Sequence, residues 1–222
     1  MKLYLNSCEP SEIREIRDWG ILDGVTMNPT MVAGIKRDYV KNLKEICSIA
    51  DMDVFAQVVA EKADGIVKEA EVLASIHKNL VVKVHTNPEG IKAIGRLKAK
   101  GIRTCATGIH SILEAVAAAK AGADHAAIFI GLLGEVDEHS TDELIAGIRT
   151  IYDKAGFATQ LMGAVRSSAQ LINSLASGAD EITCSYKIWK LFFANRHTQD
   201  RWDAFIFDWK KAYGDRDWIS GY

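Results

Sequence analysis

One lysine stands inside an apolar run that is otherwise typical of a buried strand. Lys83 interrupts the sequence Leu80-Val81-Val82-Lys83-Val84. Burial disfavours the charged form of an amine, so a lysine among valines is expected to carry a free, nucleophilic amine at neutral pH. Such an amine can attack a carbonyl group and form a Schiff base. The alternative is a lysine at a strand end that reaches solvent or forms an internal ion pair.

Further polar side chains lie in or directly after other β-rich runs, and they are the ones able to assist such an amine. A Schiff-base reaction needs hydroxyl or amide groups that orient a water for proton transfer. Each of these residues alone could be a structural polar group satisfied by the local backbone. Their convergence on one lysine favours a catalytic set. The candidates are Asn6, Thr26, Asn28, Gln57 and Thr107.

The elements that position these residues are short β-rich runs alternating with longer helical patterns. This alternation indicates repeated β-α units and a parallel sheet. The predicted strands are 2–5, 24–27, 54–59, 80–84, 103–106, 126–130, 158–162 and 181–184. Eight such units predict an α/β fold, a single (β/α)8 TIM barrel spanning residues 1–222, with the reactive groups at the carboxyl ends of the strands. An open doubly wound sheet is the alternative, but no glycine-rich phosphate loop follows a strand.

Composition restricts the class of protein. The 222 residues carry a net charge of −2 from 27 basic and 29 acidic side chains, and this mixture predicts no nucleic-acid partner. The four cysteines form no C-x-x-C pair, which argues against a zinc site and a disulfide framework and favours a reducing cytoplasm. We expect no signal peptide and no membrane span, because no apolar run approaches the roughly 20 residues needed.

A C-terminal helix at about residues 198–213 is predicted after the eighth strand. Trp202, Phe205, Ile206 and Trp209 recur at the spacing of one helical face. That apolar face could pack on its own barrel or reach a neighbouring subunit. We favour the second arrangement and expect a homo-oligomer.

The strand sequences resemble those of a known enzyme family over the whole chain. The segments concerned are Leu3-Tyr4-Leu5-Asn6, Gly24-Val25-Thr26-Met27-Asn28-Pro29-Thr30, Phe55-Ala56-Gln57-Val58 and Val81-Val82-Lys83-Val84. They are similar to the strand motifs of the small transaldolases and fructose-6-phosphate aldolases. A Thr-x-Asn-Pro-[ST] motif followed by a Val-Val-Lys strand is a far more specific signal than either part alone.

The resemblance implies a transaldolase or aldolase that acts on ketose sugars without a metal or other cofactor. It implies that Lys83 forms the Schiff base and that a dihydroxyacetone unit is transferred or released. Asn28 would hold hydroxyls of the donor sugar, while Gln57 and Thr107 would position the catalytic water. Rings of five subunits, often paired into decamers, are implied as well. The alternative function is a drifted barrel that serves as a binding or structural ring.

Several residues depart from the family pattern. Asn6 stands where the family has a proton-handling Asp, and Phe129 stands where the aldolases have a water-holding Tyr, which favours transfer over free cleavage. Leu132 replaces an arginine that grips phosphate, and Ala164 replaces a serine of the same phosphate site, while Arg166 retains the basic residue two positions on. The substrate tail is therefore expected to differ from an ordinary sugar phosphate. The substrate could instead be an unphosphorylated sugar or a sulfonated sugar.

The remaining candidates border this altered anion site. Arg166, Ser167 and Ser168 could hold an anionic end, and His85 or His110 could replace the missing acid–base group. Either histidine could equally be a surface or supporting residue. The predicted catalytic residues are Lys83, Gln57, Thr107 and Asn6, and the predicted substrate-binding residues are Thr26, Asn28, Phe129, Arg166 and Ser167.

Overall fold

Eight parallel strands close into a barrel in the computed structural model, which describes residues 1–130 and 141–215. Each strand pairs with the next along the chain, and β8 pairs with β1. The predicted (β/α)8 TIM barrel with an extra C-terminal helix is confirmed. The strands are β1 Lys2–Asn6, β2 Gly24–Thr26, β3 Asp53–Gln57, β4 Leu80–His85, β5 Thr104–Ile109, β6 His125–Phe129, β7 Gln160–Ala164 and β8 Glu181–Ser185.

Helices follow the strands and cover the outside of the barrel. Several begin at a polar side chain that accepts a hydrogen bond from a backbone N–H of the first turn, as Asn87 and Ser111 do. The helices are α1 Pro10–Arg17, α2 Pro29–Ile35, α3 Tyr39–Ile49, α4 Ala63–Ile76, α5 Pro88–Ala99, α6 Ile112–Ala121, α7 Thr141–Ala155, α8 Ser168–Ala176, α9 Tyr186–Trp189 and α10 Arg196–Tyr213.

The interior of the barrel is filled below the carboxyl ends of the strands. Alternate strand residues point inward, and the buried cluster they form consists of Tyr4, Phe55, Val81, Cys105, Ala127 and Met162. At the amino-terminal side of this cluster, the buried Glu181 carboxylate accepts hydrogen bonds from the Tyr4 hydroxyl and His125 Nδ1, both at 2.9 Å. The polar residues at the strand ends therefore rest on a packed floor.

The strand bounds differ from the sequence prediction most clearly in β5 and β7. Strand β7 begins at Gln160, two residues later than expected, and extends to Ala164 because that residue pairs with Thr183 of β8. Strand β5 continues through a bulge at Gly108, where φ is +75°. In both places strand pairing overrides the low strand propensity of glycine and alanine.

The chain separates into two compact units. One comprises Met1–Trp189 and contains the barrel, and the other runs from Lys190 onward and contains α10. Helix α10 begins at Arg196 and ends at Tyr213, close to the predicted 198–213. In the part of the chain that the structure describes, no helix is both long and apolar enough to cross a membrane.

Candidate active site

Lys83 lies inside the barrel, toward the carboxyl ends of the strands. Strand β4 is flanked at this level by Gln57 of β3 and Cys105 of β5. The side chain is buried, with 8% of the residue exposed, and its Nζ donates a hydrogen bond of 3.1 Å to the Met27 carbonyl. The lysine is therefore a buried residue rather than one that reaches solvent from a strand end.

The surroundings of Lys83 favour the neutral amine. Burial lowers its pKa, and the nearby Cys105 opposes this to a smaller degree. Burial also raises the pKa of the Cys105 thiol to about 12, so that this neighbour is uncharged at neutral pH. No carboxylate among the described residues forms an ion pair with Lys83. An uncharged amine keeps its lone pair available for attack on a carbonyl.

Replacement of this lysine should stabilise the fold at neutral pH. The pKa of Lys83 is lower in the folded chain than in the unfolded chain. At neutral pH the unfolded chain therefore holds a proton on this amine more readily, and this difference lowers the free energy of unfolding. We expect Lys83→Met to raise the melting temperature at pH 7. The difference should shrink as the pH rises to the range in which an unfolded lysine is also neutral. Calorimetry across this pH range measures it, with the exposed Lys44→Met as a control; an equal gain at every pH would contradict the expectation.

Asn6, Thr26 and Thr183 form a hydrogen-bond chain beside the lysine. The Thr26 hydroxyl donates to Asn6 Oδ1 over 3.2 Å, and its oxygen lies 2.5 Å from Thr183 Oγ1. Thr26 and Thr183 belong to β2 and β8, the two strands that pair with β1. The chain therefore crosses β1 and holds one end of the Asn6 amide.

Gln57 and Thr107 occupy the strands on either side of β4. Strand β3 is held at Gln57, whose backbone N–H contacts the oxygen of the half-buried Tyr39 hydroxyl. The backbone carbonyl of Thr107 accepts bonds of 3.0 Å from both the N–H and the hydroxyl of Thr86. The side chains of Gln57 and Thr107 make no hydrogen bond with another described residue. Their amide and hydroxyl groups are thus available to a ligand or a water.

The rim on the β5 to β7 side carries three planar side chains in contact. The His110 ring lies 5.8 Å from the Phe129 ring, and the Arg166 guanidinium lies 5.8 Å from that ring. His110 Nδ1 is 3.0 Å from the Gly108 carbonyl, so Nδ1 carries the proton. His85 is exposed and packs over Gly108, where a Cβ atom would come within 2.8 Å of the His85 ring. The site thus combines one cation with aromatic surface.

Three other predicted residues cap helices or lie at the strand ends. Asn28 accepts a hydrogen bond of 3.0 Å from the Met31 N–H at the start of α2, which leaves its amide nitrogen for a ligand. Ser167 caps α8 by accepting a bond of 3.2 Å from the Gln170 N–H. Ser168 is the exposed first residue of that helix. Leu132 lies outside the described residues.

The structure places Lys83, Asn6, Thr26, Gln57 and Thr107 at one end of the barrel. Sequence reasoning missed Thr183 and Ser185 of β8. The available signal was their spacing: they alternate with Cys184, so both point inward, where Thr183 contacts Thr26 and Ser185 pairs with Asn6. Among the described residues, no group of His, Cys, Asp and Glu is arranged to hold a metal ion.

This barrel and its lysine are accompanied by sequence similarity over nearly the whole chain. The sequence model of the transaldolase/fructose-6-phosphate aldolase family matches residues 3–214. The chain belongs to this family and is an enzyme of the transaldolase/aldolase type.

Similar proteins include three bacterial relatives that are each named "Probable transaldolase". The Geobacter metallireducens protein is 37% identical over 96% of this chain and 99% of its own length. The Geotalea uraniireducens protein is 38% identical with the same coverage. The Hydrogenobaculum protein is 38% identical over 96% of this chain and 98% of its own length. The full-length matches support the resemblance that the strand motifs indicated.

Proposed function

We propose that this enzyme transfers or releases a dihydroxyacetone unit of a ketose through a Schiff base on Lys83. The observation that supports this most is a buried amine with a lowered pKa, without a carboxylate partner in the described residues, at the carboxyl end of a barrel strand. Active sites of such barrels lie at this end. The neutral amine is the form that attacks a carbonyl carbon.

The reaction then follows from the chemistry of the amine. Lys83 Nζ adds to the ketose carbonyl, and loss of water from the carbinolamine gives an iminium ion. The bond between C3 and C4 then breaks, and its electron pair moves toward the iminium to form an enamine. The C4 hydroxyl loses its proton and becomes the carbonyl of an aldehyde, and the fragment that begins at C4 leaves. The enamine attacks the acceptor aldehyde, and hydrolysis restores the amine. Gln57 and Thr107 would hold the water that carries these protons.

The substrate would be held by groups around the lysine. Asn28 would face the hydroxyls of the donor, and the buried Thr26 would act on the donor through the Asn6 amide that it holds. Arg166 with Ser167 would lie at the end of a phosphate, sulfonate or other anionic tail. Phe129 offers no hydroxyl to hold a water, which favours transfer to an aldehyde over free cleavage. The four cysteines are free and buried, which supports a reducing, cytoplasmic location.

Borohydride trapping tests this function. The wild-type protein is mixed with one ketose at a time, phosphorylated or unphosphorylated, and is then reduced with borohydride. Mass spectrometry of the intact protein detects any adduct. A covalent adduct with at least one ketose is expected, and a panel of aldehydes then identifies the acceptor. A protein that binds ketoses but gives no adduct with any of them would favour the alternative, a drifted barrel acting as a binding or structural ring.

The oligomer is part of the same proposal. Trp202, Phe205 and Trp209 on one face of α10 are 59%, 56% and 44% exposed, more apolar surface than a helix usually leaves in water. A groove of about 600 Å³ between α2–α3 and α4 is lined mainly by apolar side chains, including the exposed Val59 and Val72. Helix α10 of a second copy would fill this groove. Residues 1–222 would then act as one domain within a pentamer or decamer.

Light scattering measures the assembly. We expect a mass that is a multiple of 24.4 kDa. Val72→Asp in the groove and Trp209→Asp on α10 should each lower the mass, because a charge in an apolar interface is costly. The exposed Lys211→Ala is the matched control and should leave it unchanged. A wild-type mass near one chain would refute the oligomer.

A further inference from the structure

We propose that Thr183 is a positioning residue that orients the Asn6 amide with its nitrogen toward the barrel mouth. This inference rests on the proposed Schiff-base function. Thr183 is 6% exposed and Thr26 is 1% exposed, so their contact of 2.5 Å is protected from water. The two hydroxyls come from the strands on either side of β1, which carries Asn6.

The number of hydroxyl hydrogens fixes the direction of donation along these hydrogen bonds. A threonine hydroxyl has one hydrogen to donate. Thr26 donates its hydrogen to Asn6 Oδ1 at 3.2 Å, so the short contact between the two hydroxyls must use the hydrogen of Thr183. The order of donation is therefore Thr183 to Thr26 to Asn6. The Asn6 amide oxygen is therefore held by the Thr26 hydroxyl on the inner wall of the barrel.

The nitrogen of the same amide is left for the substrate. Asn6 is half-buried, and its Nδ2 makes no hydrogen bond with another described residue. The mouth therefore offers two N–H donors at a place where a carboxylate would offer only acceptors. A substrate atom that meets Asn6 must accept a hydrogen bond, as a hydroxyl, carbonyl or acid oxygen can. Asn6 binds the ketose in this arrangement, and the proton transfers fall to the water held by Gln57 and Thr107.

An amide can flip, and Thr183 decides its orientation because the Thr183 hydroxyl has no other acceptor among the described residues. In the reversed chain, from Asn6 Nδ2 to Thr26 to Thr183, the buried Thr183 hydrogen would be left without a partner. If Thr183 did not donate to Thr26, the Thr26 oxygen could accept a hydrogen bond from Asn6 Nδ2 instead. The amide oxygen would then face the mouth in part of the molecules. A carboxylate has two equivalent oxygens and has no such orientation to lose. The effect of removing the Thr183 hydroxyl should therefore depend on whether residue 6 is an amide.

A double-mutant cycle tests this dependence. Thr183→Val keeps the shape and removes the hydroxyl, and it should raise the ketose concentration for half-maximal imine trapping roughly five- to tenfold, the effect of one hydrogen bond. In the Asn6→Asp background the same substitution should change that concentration less than about twofold. Thr183→Ser should rescue most of the loss. A merely structural Thr183 would give equal losses in both backgrounds, which would overturn the proposal.

Neutron diffraction gives a readout that does not need activity. In crystals exchanged into heavy water, the wild type should show deuterons on the side of the Asn6 amide that faces the mouth, and Thr183→Val should show both orientations. A wild-type amide with its nitrogen toward Thr26 would also overturn the proposal. If the wild type traps no ketose, the Schiff-base function fails, and the neutron maps still decide how Thr183 orients Asn6.

Discussion

Lys83→Met is expected to abolish imine trapping and to lower turnover on the order of 10⁴-fold or more, as loss of a covalent nucleophile does in other enzymes. The substitution replaces the amine with an unbranched apolar side chain of similar length. The site is already buried, so the fold should persist. Borohydride adducts and steady-state rates measure the effect, and circular dichroism confirms that the variant is folded.

A neighbouring variant serves as the control for this loss. Cys105 pairs with Lys83 across β4 and β5 and is fully buried. Cys105→Ala disturbs the same region without removing the amine, so this variant should still form the adduct. A Lys83→Met protein that traps a ketose as the wild type does would rule out Lys83 as the nucleophile.

Leu132→Arg should improve the use of phosphorylated substrates over unphosphorylated ones about 10- to 100-fold. A charge-assisted hydrogen bond contributes about 1.5–3 kcal/mol, and an arginine can hold a phosphate through two such bonds. The wild type should process fructose 6-phosphate poorly and prefer another tail. Ratios of kcat/KM for paired substrates measure this, with the neutral Leu132→Gln as the control.

Two other outcomes would each count against a changed substrate tail. Wild-type turnover of fructose 6-phosphate at ordinary enzyme rates, unchanged in Leu132→Arg, would count against the changed tail. If the chain has drifted out of catalysis, Asn6→Asp should create activity that the wild type lacks, because a carboxylate restores a proton acceptor. The two variants together separate these readings.

The barrel was predictable because each of its units repeats the same local pattern. Lys83 stood out within Leu80–His85, since a charged residue inside a buried strand needs a chemical reason, but that strand alone left open a lysine that reaches solvent or forms an ion pair. The inward direction of Gln57 and Thr107 followed from their positions near the ends of neighbouring strands. These features depend on local sequence and on the parallel order of the strands.

The contacts between distant strands could not be predicted in the same way. The chain from Thr183 to Asn6 joins residues at opposite ends of the sequence, and it forms because the closed barrel places β8 beside β1. Likewise, His110 and Arg166 both contact Phe129 because β6 lies between β5 and β7 in the barrel. The order and closure of the strands are tertiary features, so residue types and spacing gave no direct signal for either contact.

In the proposed reaction, the Lys83 amine forms the covalent bond to the ketose. Peptide mapping of the borohydride-reduced wild-type protein tests it most directly, because the chain contains several other amines that a ketose could modify. We expect the added mass on the peptide that contains Lys83, and fragmentation should locate it on that side chain. An adduct found on another lysine, with Lys83 unmodified, would contradict it.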